Sequence, residues 1–577
     1  MDLESYWGIG PKTSARLREE LGAERAREAI EAADVETLTA AGLSAGRVTR
    51  ILRHAAGGAA MDLLATRDAR EVYKGVLALI TDYAVSDRAA DRVRVLTPLA
   101  SRAAIEDRQT AIADARALWQ GLGADDRDAV LGAFDDGGLD GDRATVRTAI
   151  ALRGLDLTGP AVEALNALDG AALDEAEQAL AALAGDPSDD RLTTLRMQCD
   201  SVADMAATPG ATVEAIRDDA RAGDVRAAFV DHVVSETGVD YDRVRATADV
   251  EATDARTFVS SALDALRADL REAVEARLAE LRADHEDTLD ETAATVDRAA
   301  TVVGDLALEL SLARFAEAFD LTTPEITAEA GLAVTNARNL DLAAAGERVQ
   351  PVTYAVGDHD VPVDRPDRRP PTGDRVAVLT GANSGGKTTL LETLCQVAVL
   401  ARMGLPVPAE HATVGLVDRV VFHRRHASFN AGVLETTLET IVPPVTAEGR
   451  TLLLVDEFEA ITEPGSAADL LNGLVDLTVG HDALGVFVTH LADDLAPLPD
   501  AARIDGIAAE GLTPDLELAV DYQPRFDSVG QSTPEFIVSR LVANAGDGHE
   551  RAGYMALAEA VGSDAIQRTL ADASWSE

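Results

Sequence analysis

One stretch, Arg375 to Leu391 (RVAVLTGANSGGKTTLL), constrains this chain more than any other, because it orders three kinds of backbone in a single run. A short apolar alternation suits a buried strand, a glycine-rich turn follows, and helix formers close the segment. Gly381, Ala382, Asn383, Ser384, Gly385, Gly386, Lys387 and Thr388 match the pattern G-x-x-x-x-G-K-S/T in full. After a strand and before a helix, that pattern is a phosphate cradle. Backbone N–H groups at the helix N-terminus face the α- and β-phosphates, Lys387 reaches the β- and γ-oxygens, and the Thr388 hydroxyl ligates Mg2+.

Two later strands point to the same ligand. Thr451 to Val455 is an apolar run ending in Asp456 and Glu457, the Walker B arrangement. Asp456 is expected to hold Mg2+ and Glu457 to polarise the attacking water as general base. Leu484 to Thr489 is a second apolar run, ending at His490, a candidate γ-phosphate sensor. Strand ends converging on one nucleotide imply a doubly wound sheet with the ligand at its carboxyl edge. The three lysines, Lys12, Lys74 and Lys387, leave no Asn-Lys-x-Asp element for guanine, so the nucleotide is read as ATP.

Composition bears on habitat more than on partner. Against 100 Asp and Glu stand 52 Lys and Arg, a net charge of −48 spread along the chain, with lysine nearly absent. This resembles proteins of salt-accumulating haloarchaea, in which carboxylates hold a hydration layer and molar salt screens their repulsion. An acidic decoy for basic partners is the alternative. Two cysteines, Cys199 and Cys395, exclude a disulfide framework and a thiolate zinc site. With no signal-like N-terminus and no membrane-length apolar run, the sequence reads as soluble and cytoplasmic, associated with the nucleoid.

At 577 residues, roughly three to five domains are expected. Near the N-terminus, Gly8-Ile9-Gly10-Pro11-Lys12-Thr13 has the glycine hairpin that joins two helices, and a weaker copy follows at Ala41 to Arg47. Together they resemble a tandem helix-hairpin-helix module. Gly8, Gly10 and Gly42 free backbone N–H groups for DNA phosphates, with Lys12, Thr13 and Arg47 as further candidate contacts. Residues 1–58 carry eight Lys/Arg and nine Asp/Glu, so this region repels DNA far less than the rest. A protein-docking module is the competing reading. From Val239 to Val303 there is no Gly or Pro, and Leu263, Leu266, Leu270, Val274, Leu278 and Leu281 mark one helical face. Ala343 to Thr372 reads as a connection, within which Tyr354 and His359 are either adenine-stacking rings or surface loop residues.

The segment Thr380 to His423 resembles the ATPase domain of the MutS mismatch-repair family: a Walker A helix, an L-A-x-x-G-x-x-V-P-A run and a D-R-I/V strand. Val455 to Leu470 stands in place of that family's D-E-x-x-x-G-T segment, and Val488-Thr489-His490 in place of its T-H switch. Upstream, Glu309 to Ile326 looks like the family's core helix, and Arg92 to Ile112 like the start of its lever region. Departures are equally specific. Ala-Asn-Ser replaces Pro-Asn-Met in the loop, and Thr388-Thr389 replaces Ser-Thr. Ala427 to Glu435 stands where the family has S-T-F-M-x-E-M, with Ser428 the residue implied to reach the nucleotide of the opposite subunit. Nothing in the first 90 residues resembles the family's mismatch-reading domain.

The resulting expectation is a multidomain chain, mainly α in its N-terminal and lever/core regions, followed by an α/β P-loop domain of the ABC type. Its parts are residues 1–58 as the DNA module, 59–345 as core and lever with a clamp near 180–260, 346–510 as the ATPase, and 511–577 as a C-terminal extension of the ATPase and dimerisation region. The resemblance implies a homodimeric, ATP-gated clamp on branched or junction-containing DNA, acting in repair or recombination without reading mismatches, with ATP and Mg2+ as cofactors, no membrane, and a nuclease or repair partner left unidentified. Two alternatives are a nucleotide-gated scaffold with little turnover, and an SMC-like ATPase. The order of parts disfavours the latter, since the helices precede the Walker motifs.

Overall fold

The computed structural model describes the chain apart from residues 1–2, 32, 136–140, 186–188, 220–223, 251, 364–367, 382–385, 426–430, 458–463, 492–493, 496, 513–517, 531–537, 539, 543 and 562–577. The chain divides into two compact units, one of residues 1–127, 159–161 and 304–577, the other of 128–158 and 162–303. No helix among the described residues is long and apolar enough to cross a membrane.

The first unit opens with helices Pro11–Glu20, Ala23–Glu31, Val35–Ala40 and Ala45–Gly57. Pro11 follows the Gly10 N-cap of the first, where its missing N–H costs nothing. Asp34 caps the third through a 2.9 Å bond from Thr37 N. They enclose their own core of Leu3, Ile9, Leu17, Ile30, Leu38, Leu43, Val48, Ile51 and Leu52.

The ten strands among the described residues are β1 (Glu325–Thr327), β2 (Gly331–Ala337), β3 (Val352–Gly357), β4 (Val376–Gly381), β5 (His411–Gly415), β6 (Arg419–His423), β7 (Thr451–Val455), β8 (Leu484–Val488), β9 (Ala502–Leu512) and β10 (Leu518–Arg525). One sheet has the order β1-β5-β2-β3, the other β10-β9-β4-β8-β7-β6. In the second, every pairing from β9 to β6 is parallel and only β10 runs antiparallel. All residues of β4, β7 and β8 are buried, as a parallel sheet covered on both faces requires.

The two-residue period of those strands sorts their side chains into two cores. Val376, Val378, Leu453, Val455 and Phe487 face helices Ala431–Thr446 and Pro464–Gly480 through Ile441, Val445, Leu471 and Val475. Ala377, Leu379, Leu452, Leu454 and Val486 face the other way, onto Leu391, Leu394 and Val397 of helix Lys387–Arg402. Helix Arg67–Thr81 joins that second core through Val72, Tyr73 and Val76. Ahead of it, Leu64 bridges Val420 of β6, and the Thr66 hydroxyl donates to Phe422 O at 2.7 Å.

The α/β fabric exceeds the span expected for it, 346–510. Leu332 on β2 pairs with Val356 on β3, so paired strands straddle the expected start, whereas the pairing of Leu512 on β9 with Leu518 on β10 carries the sheet into the expected C-terminal extension. Ala343 to Thr372, read as a connection, contributes a whole strand. Its Pro, Asp and Arg content masked the six-residue apolar run of β3.

The second unit is helical, with Gly141–Arg153, Gly170–Ala184, Asp190–Ala207, Pro209–Asp219, Val225–Thr237, Tyr241–Thr247 and the first part of the 64-residue helix Ala255–Ala318. Helix formation from Val239 to Val303 is not continuous, despite the lack of Gly and Pro. Asp254 accepts bonds from the N–H groups of Arg256 and Thr257, which starts a new helix there. Leu263, Leu266 and Leu270 are buried with Phe229, Val230, Val233 and Phe258. Leu278 and Leu281, on the same expected stripe, are only half-buried.

Farther along the long helix, in the first unit, Arg92 pairs with Asp305 at 2.7 Å. Burial, and then the Asp305 carboxylate, push the nearby Glu309 carboxyl up to about 7. The folded chain thus keeps a proton that the unfolded chain releases from about pH 4.5 upward, so this group erodes stability as pH climbs between those values. Glu309→Gln should raise stability at about pH 8 by on the order of 1 kcal/mol, after discounting for solvent screening, and change little at about pH 4. Thermal unfolding at both pH values checks this.

Candidate functional site

Parallel pairing aligns four strand ends. Leu379 of β4 pairs with Val488 of β8, Val455 of β7 with Phe487, and His423 of β6 with Val455. The chain just beyond each end therefore emerges on one edge. Asp456 N donates to His423 O at 2.9 Å, and Glu457 N to Val488 O at 3.1 Å, which ties the two acids to the neighbouring strands.

On β4, Gly381 has a φ of +123°, and a Cβ there would sit 2.2 Å from Ile507 O on β9. Gly386, with a φ of +70°, caps helix Lys387–Arg402, and a Cβ on it would meet the Tyr522 ring at 2.9 Å. Both glycines are thus demanded by conformation and by neighbours. Lys387 is 4% exposed, and its Nζ donates to Gly381 O at 2.7 Å, bringing the ammonium back to the start of the loop. Thr389 lies in the first turn of the helix and accepts from the Thr393 hydroxyl at 2.7 Å. Ala382, Asn383, Ser384, Gly385 and Ser428 lie outside the described residues.

Thr388 and Asp456 meet, the hydroxyl donating to Oδ2 at 2.6 Å. Burial pushes the Asp456 carboxyl above its ordinary range, and the Thr388 bond pulls it partly back. These are two hard oxygen donors side by side, the set that Mg2+ accepts when phosphates and waters complete its shell. Among the described residues no group of three His, Cys, Asp or Glu is arranged to hold a metal by itself.

Glu457 is held from two sides. His490 Nε2 donates to its Oε1 at 2.9 Å, and the Arg425 guanidinium pairs with Oε2. The His490 bond, with His490 and Arg425 charge in support, keeps the Glu457 carboxyl below its ordinary range. Glu457 has a φ of +42°, a left-handed conformation uncommon for a glutamate, which turns the chain sharply after the buried Asp456. Lys387, Thr388, Asp456, Glu457 and His490, named separately from the sequence, are thus brought together.

Arg425 was not named by the sequence reading. The doublet Arg424-Arg425 directly after a strand was its available signal. Arg424 N donates to Asp68 at 2.8 Å, and its guanidinium pairs with Glu392 of the loop helix, so the end of β6 is anchored on two helices. Tyr354 is corrected. It is neither a surface residue nor a stacking ring, being fully buried on β3 with its hydroxyl 2.9 Å from Asp505 Oδ2. His359 Nε2 lies 3.0 Å from Pro371 O in a loop of its own.

The N-terminal candidates form a second constellation. Gly8 and Gly42 have φ of +80° and +83° at matching places, each followed by a buried apolar residue, Ile9 or Leu43, and then a helix. Lys12 is exposed in the first turn after Gly10, whereas the Thr13 side chain is buried. Arg47 links the copies, donating to Thr13 Oγ1 at 2.6 Å and Gly8 O at 3.2 Å. Arg16 of the first copy lies against Gly42 of the second.

The edge at 377–493 is that of a known domain class: residues 377–493 match the family model described as MutS domain V, the ATPase domain of that family. Among similar proteins, the "DNA-binding protein MutS2" of Pyrococcus furiosus is 42% identical over 233 residues, 40% of each chain. The "DNA mismatch repair protein MutS" of Sorangium cellulosum is 34% identical over 34% of this chain and 21% of its own. "Endonuclease MutS2" of Solidesulfovibrio magneticus is 30% identical over 35% of this chain and 24% of its own. These findings support a MutS-family protein, and the matches span at most 40% of those relatives' lengths.

Gly381→Ala should destabilise the chain by about 2 kcal/mol or more, because neither φ nor the β9 carbonyl accommodates a methyl group. Chemical denaturation of variant and parent measures it.

Proposed function

We propose that the chain is a MutS-family DNA-binding ATPase, a homodimeric clamp gated by ATP that acts on branched or junction-containing DNA in repair or recombination without reading mismatches. The observation that carries this reading is the convergence of Lys387, Thr388, Asp456, Glu457 and His490 on one sheet edge, inside the segment that matches MutS domain V. Lys387 and the N–H groups leading into its helix bind the phosphates of ATP. Thr388 and Asp456 are the residues that would hold Mg2+, whose charge, when bound, offsets that of the phosphates. Glu457, kept deprotonated by His490, is suited to accept a proton from water, and His490 to sense the terminal phosphate.

Residues 1–58 supply the DNA contacts, with Gly8, Gly10 and Gly42 in hairpins and Lys12, Thr13 and Arg47 around them. The paired positive-φ glycines and the exchange of Arg16 and Arg47 between copies support a tandem helix-hairpin-helix module. The name of the Pyrococcus relative, a DNA-binding protein, supports the same partner. Residues 59–345 are the candidate core and lever, with the clamp near 180–260. Ser428 is retained as the residue offered to the opposite subunit's nucleotide. The charge of −48 supports adaptation to high salt, and a cytoplasmic protein working at the nucleoid is the location proposed with the DNA-binding reading.

A second reading, a nucleotide-gated scaffold with little turnover, draws on the Arg425 ion pair, which occupies the carboxylate that the base role requires. Steady-state ATP hydrolysis in molar salt separates the two. Glu457→Gln should bind ATP as the parent does, lose about 100-fold or more in turnover, and accumulate as a dimer by light scattering. Equal turnover in both would remove Glu457 from the base role. Lys12→Ala combined with Arg47→Ala should weaken duplex binding roughly tenfold in an anisotropy titration, since Lys12 offers a phosphate contact and Arg47, besides its own, holds the two hairpins together through Thr13 and Gly8. Unchanged affinity would return residues 1–58 to the protein-docking reading.

A further inference from the structure

Trp7 immediately precedes the first hairpin glycine and lies outside the apolar core of the module. It is 56% exposed, whereas Leu3, Ile9 and Leu17 of the same module are at most 4% exposed. Among the described residues of 1–58 it is the one large apolar side chain left in water. One face of the indole lies on the His54 imidazole, with ring centroids 3.9 Å apart and planes 25° apart. A single exposed aromatic is ordinary, but one stiffened by a stacked ring beside a phosphate-facing hairpin is a prepared surface.

Basic side chains lie on the helix that carries His54. Arg47 and Arg50 fall at i and i+3 of helix Ala45–Gly57, on the face that His54 shares at i+7. Lys12 is exposed in the first turn of the neighbouring helix. Hairpin N–H groups and these cations recognise phosphates, whereas an indole face recognises the flat face of a base. A base in a continuous duplex presents no free face, being stacked on both sides. The occupant that fits is therefore a base already unpaired, on a strand whose phosphates remain within reach of the hairpins.

We propose that Trp7, backed by His54, is a stacking platform for an unpaired nucleobase, which directs the N-terminal module to the point where a single strand leaves a DNA duplex. This rests on the reading of residues 1–58 as DNA-binding and adds the chemical feature that selects the substrate. Stacking is indifferent to base identity, so the preference is for structure and not for sequence. In concentrated salt, where phosphate contacts are weakened by counterions, a stacking contact keeps its strength and becomes the dominant source of discrimination.

The test uses the full chain in molar salt and three labelled DNAs: a blunt duplex, the same duplex with a single-stranded thymidine arm, and that forked DNA with abasic sites replacing the first arm nucleotides. The abasic arm keeps every phosphate and removes the bases. The parent protein should bind the thymidine fork roughly tenfold tighter than the abasic fork, the increment that one base on one aromatic ring supplies. Trp7→Ala should bring that ratio close to one, and Trp7→Phe should retain most of it. Because the readout is a ratio between two DNAs, a general loss of folded protein leaves it unmoved. Duplex binding with no difference between the two forks, or a ratio preserved in Trp7→Ala, overturns the platform alone. Failure to bind any of the three DNAs overturns the DNA-binding reading of the module and the platform with it.

Discussion

The parallel pairing of β4 with β8, β8 with β7 and β7 with β6 is the constraint from which the site follows. Each strand is only five or six residues long and, but for Arg419 at the start of β6, buried throughout, so its register is set by which face every second side chain must occupy. A slip of one residue in β7 would exchange Leu454 with Leu453 between the two cores and move Asp456 away from Thr388. The hydrophobic sorting that stabilises the sheet is thus the same event that places the carboxylates. No separate device is needed to bring Lys387, Asp456 and His490 together once the strands are in register.

That economy has a local cost at Glu457. The chain must leave β7, bury Asp456 and still present the next carboxylate to His490, and it does so through a left-handed backbone at a non-glycine residue. Two partners offset the strain. His490 and Arg425 come from the ends of different strands, β8 and β6, so the glutamate reports on the relative placement of three strand ends at once. Arg425 directly precedes the 426–430 segment, and Arg424 is anchored to Glu392 on the phosphate-loop helix. Any ligand that draws on the Glu457 carboxylate must therefore also act on the chain leading into that segment.

Much of this was legible in the sequence because short apolar runs ending in named polar residues specify both a strand and what its end carries. β4, β7 and β8 were read in that way, with their terminal residues. The glycine hairpins were legible for a similar reason, since Gly8 and Gly42 recur at equal distance from a following helix. What was not legible depends on contacts between distant segments. The burial of Tyr354 requires Asp505, 151 residues away, and the joining of Leu64 to Val420 requires an edge that exists only once β6 is in place. The break before Ala255 carries no Gly or Pro, and an aspartate cap starts the new helix there as effectively.

The acidity of the chain decides which forces remain for binding. With a net charge of −48, long-range attraction to DNA is absent at low salt, and at high salt it is screened for any protein. On the proposed DNA-binding reading, affinity must then come from contacts that work at van der Waals or hydrogen-bonding distance. Backbone N–H groups at helix starts and an exposed aromatic ring are of that kind, and both are concentrated in the near-neutral first 58 residues. The same reasoning applies at the carboxyl edge of the parallel sheet. There the cations Lys387 and Arg425 sit within bonding distance of Gly381 O and Glu457, so neither acts as a free charge at range. At that edge contact, and not field, sets the energy of the basic groups.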